Sequence, residues 1–565
     1  MQKTTIALTP LALKDAPTLI ETVFPAQKVS FEAQKERKAG AGQTLTALGS
    51  YWKGRKPLIL VRAIVLGSLL PPTEDAEADL VLFEKLMAFD DESLARRALA
   101  ANAFSATKLQ ELIPISDPEH YFGGRSWRRD IEDDDKLVLY RRALATLSSY
   151  EEKASLGKRP EEVDQDWLYT PVWAEVNRHY AHLGVNVKSL PELVEQLGIL
   201  RYGHRPRVGD TFSGGGSIPF EAARIGCDVY ASDLNPIACM LTWGALNIIG
   251  SSKENRAEIE KAQEHVAQAV DEEITRLGIE HDKQGNRAKA YLYCLEARCP
   301  ETGWLVPIAP SWIVAKTGNV IARLNPDFEK KRFDIEIVRG ASNAEMKAAQ
   351  KGTLQNGEMI YELNGKSFRT PIKTLRGDYR LPDGSSSNRL RRWGEDDFKP
   401  RPDDVFQERL YAIMWAIKDS SGKARPEVLI AAPTADDIFN DELVESIVAK
   451  NLSAWHAKGL IPNMEIETGD KTEEPIRTRG WTYWHHLFSP RQLLMLALVR
   501  REISKLDKGL QSKVIAFLPD AIQRSAKLCI WDTFPGPGRM PKIAQVFSDQ
   551  ALNTPMNWGL GHGLI

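Results

Sequence analysis

The sequence predicts a mixed α/β fold, with a helical N-terminal segment and an α+β insertion between its early and late strands. The first observation is the segment from residue 207 to residue 233, which has the pattern of strand, glycine-rich turn, helix and strand. The second is the helical periodicity of residues 90–113 and 135–154. The third is a polar, glycine-rich stretch, 343–397, which predicts an insertion with weak order of its own.

The length of 565 residues is too great for one ordinary domain, so the chain is divided here by composition. Residues 1–150 form an N-terminal arm and a helical region, and residues 151–250 hold the strand, turn and helix that begin the α/β domain. Residues 251–420 form the insertion. Residues 421–565 form a later part of the α/β domain, which we expect to be incomplete. Within these regions we predict a charged helix at 255–277 and strands at 288–299, 426–432 and 514–518.

The composition excludes several classes of protein. Apolar residues make up 43% and charged residues 27% of the chain, which is the balance of a globular protein. The net charge of -2 argues against a protein that coats nucleic acid, but it leaves room for a local basic face. The longest apolar run, from Leu58 to Leu70, is interrupted by Arg62 and is too short to span a bilayer. With no secretory signal and five scattered cysteines, we expect a cytoplasmic protein without a membrane partner.

Three consecutive glycines, at positions 214–216, follow the strand that leads into Asp210. Glycine permits positive φ and lets a ligand approach the backbone where a Cβ would collide. The next helix ends at Gly226, and a second apolar strand at 228–231 delivers Asp233 to its carboxyl end, about 20 positions past the turn. There the carboxylate can accept hydrogen bonds from ribose hydroxyls, so the segment predicts a site for a nucleotide-like ligand.

Three interpretations of this turn are open: a site for S-adenosylmethionine, a site for a dinucleotide, and a structural turn without a ligand. A dinucleotide fingerprint needs a third glycine where this chain has Pro219. A pyrophosphate would gain nothing from the negative charge of Asp210, whereas the cationic methionine end of S-adenosylmethionine would be attracted to it. Both observations favour S-adenosylmethionine as the cofactor.

The same residues carry a family resemblance. The pattern Asp-x-Phe-x-Gly-x-Gly at 210–216 resembles motif I of the amino-group DNA methyltransferases. Together with Ala-Ser-Asp-Leu-Asn-Pro-Ile-Ala at 231–238, it resembles the DUF1156 family of predicted adenine-specific DNA methylases. Further segments resemble the same family, namely Tyr51-Trp52 with Pro57 and Arg62, and the stretches at 398–404, 408–411, 481–492 and 550–553. The resemblance therefore spans nearly the whole chain.

The resemblance implies a Rossmann-like class I S-adenosylmethionine-dependent methyltransferase fold. It implies methylation of the adenine exocyclic amino group (N6) of DNA, in restriction or phage-defence modification. Within this fold, Trp52 and Pro57 would correspond to an N-terminal motif that closes the methionine pocket, and the alternative for them is an ordinary buried turn. The cofactor-binding residues implied are Asp210, Phe212, Gly214, Gly215, Gly216, Asp233, Asn235, Trp52 and Pro57.

The second motif of this class, Asp/Asn-Pro-Pro-Tyr/Phe, is absent from the sequence. In the family its polar groups hold the amino group while its aromatic ring stacks on an extruded base. Pro433 and the segment 531–535 are imperfect matches for which we predict loops, so the catalytic residues stay unassigned. Three explanations are open: a truncated product, an enzyme split with a second chain that carries the motif, and a non-catalytic cofactor-binding or DNA-recognition subunit.

The family is often described as containing a zinc ribbon, which needs four soft ligands in two Cys-x-x-Cys-like pairs. Cys294 and Cys299 are spaced too widely for such a pair, so we predict no bound metal. His485 and His486 point to different faces of a predicted helix, which favours structural roles. The basic and aromatic clusters at 125–129 and 389–393 suit either nucleic-acid contact or a salt-bridged surface. We favour the surface for the first cluster and leave both uses open for the second.

Overall fold

The computed structural model describes residues 7–38, 45–46, 48, 54–418, 424–470, 472–544, 546 and 557–561. The chain divides into two units, Met1–Arg256 and Ala257–Ile565. Both units contain helices and strands, which confirms the mixed α/β class. In the described ranges no helix is long and apolar enough to cross a membrane. The region boundaries at 150, 250 and 420 stay predictions.

The first unit is mainly helical. Its helices are α1 (Ala26–Lys38), α2 (Leu58–Leu69), α3 (Ala76–Leu86), α4 (Asp91–Ala100), α5 (Ala106–Leu112), α6 (Pro118–Tyr121), α7 (Asp133–Leu144), α8 (Tyr150–Leu156), α9 (Gln165–Tyr169), α10 (Trp173–His179), α11 (Leu190–Tyr202), α12 (Ser217–Arg224) and α13 (Pro236–Gly244). Its strands are β1 (Phe122–Gly123), β2 (Ser126–Trp127), β3 (Arg207–Asp210) and β4 (Asp228–Ala231). Short 3₁₀ turns lie at Leu19–Glu21, Pro160–Glu162 and Ala181–Leu183, and a π turn at Ala245–Ile249 follows α13.

Polar caps and apolar faces explain why these segments are helical. Ser189, for example, accepts a hydrogen bond from the backbone N–H of Glu192, a group that has no partner within α11. The apolar faces of α2, α3 and α11 pack into one core that includes Leu66, Leu86 and Leu197. A second core joins α4, α5 and α7. The first of these cores supports β3 and β4.

The second unit is built on a mixed sheet. Its helices are α14 (Lys253–Leu277), which begins just before the boundary, α15 (Asn343–Ala349), α16 (Ile372–Arg376), α17 (Ala435–Ala457), α18 (Glu473–Arg479), α19 (Pro490–Ile503), α20 (Lys508–Ile515) and α21 (Leu518–Ile522), with a 3₁₀ turn at Trp484–Leu487. Its strands are β5 (Arg287–Arg298), β6 (Leu305–Ile308), β7 (Ile313–Ala315), β8 (Val320–Asp327), β9 (Arg332–Val338), β10 (Leu354–Gln355), β11 (Glu358–Leu363), β12 (Lys366–Pro371), β13 (Tyr379–Arg380), β14 (Ser386–Ser387), β15 (Phe406–Lys418), β16 (Ala424–Ala431), β17 (Ile530–Asp532), β18 (Lys542–Ala544) and β19 (Asn557–Gly561).

The large sheet has the strand order β16-β15-β5-β6-β9-β8-β7, and β19 also pairs with β5. The contact between β6 and β9 is parallel, whereas the other pairs are antiparallel. β5 is buried along most of its length because alternate side chains enter different apolar clusters. Tyr291 and Leu295 belong to one cluster, and Leu292 and Cys294 belong to the other.

Several local predictions are confirmed and two are wrong. α14, β5 and β16 match the helix predicted at 255–277 and the strands predicted at 288–299 and 426–432. The strand predicted at 514–518 is wrong: α20 ends at Ile515 and α21 begins at Leu518. An apolar run of five residues fits a strand or a helix equally well, and in this protein Val514 packs into a core formed mainly by helices.

The expectation of weak order at 343–397 is also wrong. This stretch contains α15, α16 and the strands β10 to β14. Two Asn-Gly pairs, Asn356-Gly357 and Asn364-Gly365, have positive φ at all four residues and close the turns between β10, β11 and β12. Asn-Gly is the preferred pair of two-residue hairpin turns, so these two pairs indicate β-hairpins even though the surrounding sequence is polar.

Candidate cofactor site

A loop of six residues, 211–216, connects β3 to α12, and backbone hydrogen bonds join its first half to the residue that follows β4. Ser232 N–H donates to Asp210 O over 2.9 Å, and Ser213 N–H donates to Ser232 O over 3.1 Å, so the loop continues the pairing of β3 with β4. The Asp210 carboxylate accepts a hydrogen bond from Phe212 N–H at 3.1 Å. Asp210 therefore lies at the carboxyl end of β3 with its side chain partly exposed.

The three glycines of the loop have different roles. Gly214 and Gly216 take φ values of +51° and +76°, whereas Gly215 is not in this region. A Cβ on Gly216 would lie 2.8 Å from Thr242 Cα, so it would collide with α13. The positive φ expected for a glycine of this turn is present at Gly216, and close approach of a ligand to its backbone stays a prediction. Its glycine is needed for the turn and for close packing of the loop on α13.

Asp233, at the carboxyl end of β4, is oriented by two backbone groups. Gly214 N–H donates to Oδ2 at 2.8 Å, and Asn235 N–H donates to Oδ1 at 2.9 Å. The hydrogen bonds from Asn235 and Gly214 lower the pKa of this carboxyl, so it is ionised at neutral pH. Since a carboxylate has about four lone-pair positions, both oxygens retain accepting capacity. Asn235 itself caps α13 by accepting from Ile237 N–H at 2.9 Å.

Two apolar side chains flank these carboxylates and are exposed. Leu234 is 98% exposed and Phe212 is 85% exposed. Behind them the loop rests on α13, where Thr242 Oγ1 donates to Ser213 Oγ at 3.1 Å. Ser213 and Thr242 were not identified from the sequence, because their roles follow from the packing of α13 and not from a motif. The arrangement offers polar acceptors beside an apolar surface.

A buried ion pair attaches α2 to the helix that follows the loop. Arg62 Nε lies 2.9 Å from Glu221 Oε1, and both side chains are almost fully buried. Arg62 Nη1 also donates to Tyr169 OH at 2.6 Å, and Arg224 forms a second ion pair with Glu221 at 2.7 Å. Burial raises the pKa of Glu221, but Arg224 and Arg62 outweigh it and hold the pKa below its ordinary value. The charged residue inside the apolar run at 58–70 was the signal for this contact.

Of the two N-terminal residues predicted for the site, Pro57 belongs to the described part of the chain and Trp52 does not. Pro57 is buried and immediately precedes α2, and the next residue, Leu58, packs with Phe220 of α12 and Ala245. The start of α2 is therefore adjacent to α12, and a contact between Pro57 and the cofactor stays a prediction.

β3 and β4 form a parallel pair to which no further strand is joined in the part of the chain that the structure describes. On one face Val208 and Val229 pack against the helical core. On the other face Tyr230 is 65% exposed, and a Cβ on Gly209 would meet nothing within 4 Å. Parallel sheets are normally covered on both faces by other elements. The pair therefore presents an open face beside the loop.

The structure gives structural roles to the paired histidines of the second unit. His486 Nε2 donates to Gly394 O at 3.0 Å, and its Nδ1 accepts from two backbone N–H groups at 3.1 Å each. His485 Nε2 donates to Asp397 O at 3.1 Å. Burial lowers the pKa of His485 to about 4 and that of His486 to about 3, so both rings are neutral. These rings join the segment at 481–492 to the residues before 398.

The side chains of the two basic and aromatic clusters, 389–393 and 125–129, differ in their burial and in their ion pairs. In the cluster at 389–393, Trp393 is buried, and Arg391 is ion-paired with Asp397 and Asp404. These two side chains are therefore structural and are not open to bases. In the cluster at 125–129, Arg128 is ion-paired with an exposed acidic neighbour, as expected for a salt-bridged surface.

The two loops considered for catalysis have local structural roles. Thr434, directly after Pro433, caps α17 through a reciprocal pair of hydrogen bonds with Asp437. Asp532 accepts a hydrogen bond from Phe534 N–H at 3.0 Å. The loop predicted around Pro433 is therefore a helix cap, whereas the loop predicted at 531–535 is wrong for Trp531 and Asp532, which belong to β17.

Cys299 is the residue that a zinc knuckle would use, and it is surrounded by hydroxyl groups. Its Sγ lies 3.6 Å from Thr370 Oγ1, and Thr302 Oγ1 lies 2.5 Å from Tyr361 OH. Burial raises the pKa of the Cys299 thiol, but hydrogen bonds from Tyr361, Thr302 and Thr370 lower it to about 7. Among the described residues no group of three or more His, Cys, Asp or Glu side chains is arranged to hold a metal ion.

Comparison with known proteins gives one match. A family model described as "Protein of unknown function (DUF1156)" matches residues 23–86, which contain α1, α2 and α3. No curated protein and no solved structure matches the chain. The match confirms the resemblance to DUF1156 over these residues. They include Arg62, so the matched segment is the part of the first unit that is ion-paired to α12.

Proposed function

We propose that this protein binds S-adenosylmethionine at the loop between β3 and α12 and serves in methylation of the adenine N6 amino group of DNA, on a Rossmann-like class I methyltransferase fold. The observation that carries the proposal is the Asp233 carboxylate. It is ionised, it is held by the N–H groups of Gly214 and Asn235, and it keeps free lone pairs at the end of a parallel strand.

The residues around Asp233 fit this cofactor in charge and polarity. A ribose diol would donate to the remaining lone pairs of Asp233. The exposed side chain of Leu234 would contact the adenine ring, and Phe212 offers a second apolar surface. The Asp210 carboxylate, with one oxygen bonded to Phe212 N–H, would attract the cationic methionine end. When bound, S-adenosylmethionine supplies a methyl group on a sulfonium centre.

A dinucleotide fits these residues less well. Its pyrophosphate would lie at the start of α12, where the helix dipole attracts an anion but the Asp210 carboxylate repels one. Pro219 also stands in the first turn of α12 where the dinucleotide fingerprint has its third glycine. These features support S-adenosylmethionine over NAD-type ligands.

The open face of the β3–β4 pair supports a role for a partner in catalysis. The described chain holds the strand ends that suit a cofactor, and its sequence lacks the Asp/Asn-Pro-Pro-Tyr/Phe motif that would hold the base. A second chain that carries this motif would add strands beside β3 or β4 and cover the exposed Tyr230. The alternative function, a cofactor-binding or DNA-recognition subunit without chemistry of its own, fits the same observation.

Titration calorimetry with S-adenosylmethionine and with its demethylated product tests the cofactor site. We expect binding by the wild-type protein and a loss of roughly 10- to 100-fold in affinity for Asp233→Ala, since hydrogen bonds to a charged group are removed. Asp228→Ala is the matched control, because Asp228 is an exposed carboxylate at the other end of β4. Equal affinities of the two variants, or no heat at millimolar ligand, would contradict the proposal.

A further inference from the structure

One exposed end of the second unit is formed by two segments far apart in the sequence. The turn between β7 and β8, at 316–319, packs against the loop between β17 and β18, at 533–541. Lys316 N–H donates to Thr533 O at 3.1 Å, and Thr317 Oγ1 donates to Arg539 O at 2.9 Å. Trp531 Nε1 also donates to Val314 O at 2.8 Å. The two segments therefore form one continuous surface.

This surface concentrates positive charge. Lys316 and Arg539 lie on the two packed segments, and Arg339 precedes Gly340, whose N–H donates to Gly318 O at 3.0 Å. Lys542 is paired with Asp532 in the register of β17 and β18. All four cations are exposed, and none of them forms an ion pair with another described residue. We call these four cations and Phe534 the basic end.

The nearby carboxylates do not neutralise the basic end. Asp532 is the acidic residue within it, and its carboxylate accepts from Phe534 N–H. Glu345, at the start of α15, is bonded to Ser342 and to Arg323 at 2.7 and 2.6 Å. Among the residues that the structure describes at this end, four cations and the carboxylate of Asp532 leave a local excess of positive charge, although the whole chain carries a net charge of -2. Such a local excess on a near-neutral protein indicates a binding surface for a polyanion.

An exposed aromatic ring lies among these cations. Phe534 is 47% exposed, and Lys316 Nζ lies 5.6 Å from the centre of its ring. The hydrogen bond from its own N–H to Asp532 fixes the backbone that carries the ring. Cations that contact phosphates, with an aromatic ring on which an unpaired base can stack, are the components of sites for single-stranded nucleic acid.

We propose that the basic end binds single-stranded nucleic acid, with Lys316, Arg339, Arg539 and Lys542 on the phosphates and Phe534 stacked on a base. The proposal does not depend on cofactor binding, because all five residues belong to the second unit and the cofactor residues belong to the first. A single strand is favoured over a duplex because the ring of Phe534 needs a base whose face is free.

Fluorescence anisotropy with a labelled 20-nucleotide oligothymidylate, in the absence of S-adenosylmethionine, tests the proposal. We expect Arg339→Gln/Arg539→Gln to weaken binding and to reduce the slope of log affinity against log salt by about 1.4, which corresponds to two phosphate contacts on a single strand. The control Lys330→Gln/Lys331→Gln removes the same number of positive charges, two, from the turn between β8 and β9. It should leave the slope of log affinity against log salt unchanged.

A second pair of variants tests the stacked base. Phe534→Ala should weaken binding roughly 5- to 150-fold, the range seen when a stacking ring is removed, and Phe534→Tyr should retain it. Three results would overturn the proposal: no binding at low salt and micromolar protein, equal effects of the two charge variants, or tighter binding of a duplex that is insensitive to Phe534→Ala.

Discussion

Arg62 is predicted to hold the loop-bearing helix α12 in place, and Arg62→Met tests this role. The guanidinium is 1% exposed and forms hydrogen bonds with Glu221 and Tyr169 at 2.9 and 2.6 Å. Removing one partner of a buried ion pair costs about 3–5 kcal/mol, because the other charge stays buried. Glu221 keeps its contacts to Arg224, so we expect the lower end of this range, about 3 kcal/mol.

Urea unfolding provides the assay for this prediction. With a urea dependence of about 2–3 kcal/mol per molar, the midpoint of Arg62→Met should fall by about 1 M. The matched control is Arg205→Met, which removes an arginine from the exposed pair with Glu195 and should change the free energy of unfolding by less than about 1 kcal/mol. Equal midpoints for the two variants would contradict this role of Arg62, because the buried ion pair would then contribute no more to stability than an exposed one.

Three further predictions concern acid stability, zinc and catalysis. His485 and His486 have pKa values of about 4 and about 3 in the folded protein, against an ordinary 6.5, so the unfolded chain binds more protons below pH 6.5. The contribution of the two neutral rings to the free energy of unfolding is complete above pH 6.5 and is lost as the pH falls below that value. Calorimetric scans should therefore show the second unit losing about 4 kcal/mol between pH 7 and pH 5, with a smaller loss in His485→Gln. Elemental analysis should find no stoichiometric zinc, and one zinc per chain that is lost in Cys299→Ser would contradict this. The chain alone should transfer no tritiated methyl group to DNA, because an unpositioned amino group forgoes about 7–11 kcal/mol of proximity and orientation. A partner chain with an Asp-Pro-Pro-Tyr motif should restore transfer, and Gly214→Val should abolish it again, whereas robust methylation by the 565-residue chain alone would contradict the prediction.

The sequence predicts local structure best where the pattern and the turn chemistry agree. β3, α12 and β4 follow the predicted order, because the glycines at 214–216 and Gly226 mark where each element ends. The hairpins of β10 to β12 do not follow from composition, because the surrounding residues are polar, although Asn364-Gly365 is a strong turn signal. Composition is therefore a weaker guide to order than a specific turn pair.

Contacts between distant residues were not predictable from one sequence. Arg62 and Glu221 are 159 positions apart, and only the presence of a charge in an apolar run hinted that Arg62 has a buried partner. The order of strands in the large sheet also depends on contacts between distant residues, since β5 pairs with β15, which begins more than a hundred residues later. At the candidate site, the motif predicted the positions of Asp210 and Asp233 at the ends of their strands. It did not predict that Gly216 packs closely against Thr242.

Hydrogen–deuterium exchange with and without the demethylated cofactor product tests whether the cofactor binds at the loop between β3 and α12, because exchange reports where a ligand binds. We expect slower exchange in peptides that cover 210–217 and 232–238, where the backbone N–H groups of Gly214 and Asn235 hold Asp233. Peptides that cover 485–492 should not change. Binding that slows exchange outside the loop and the end of β4, with no change within them, would contradict the assignment of this site.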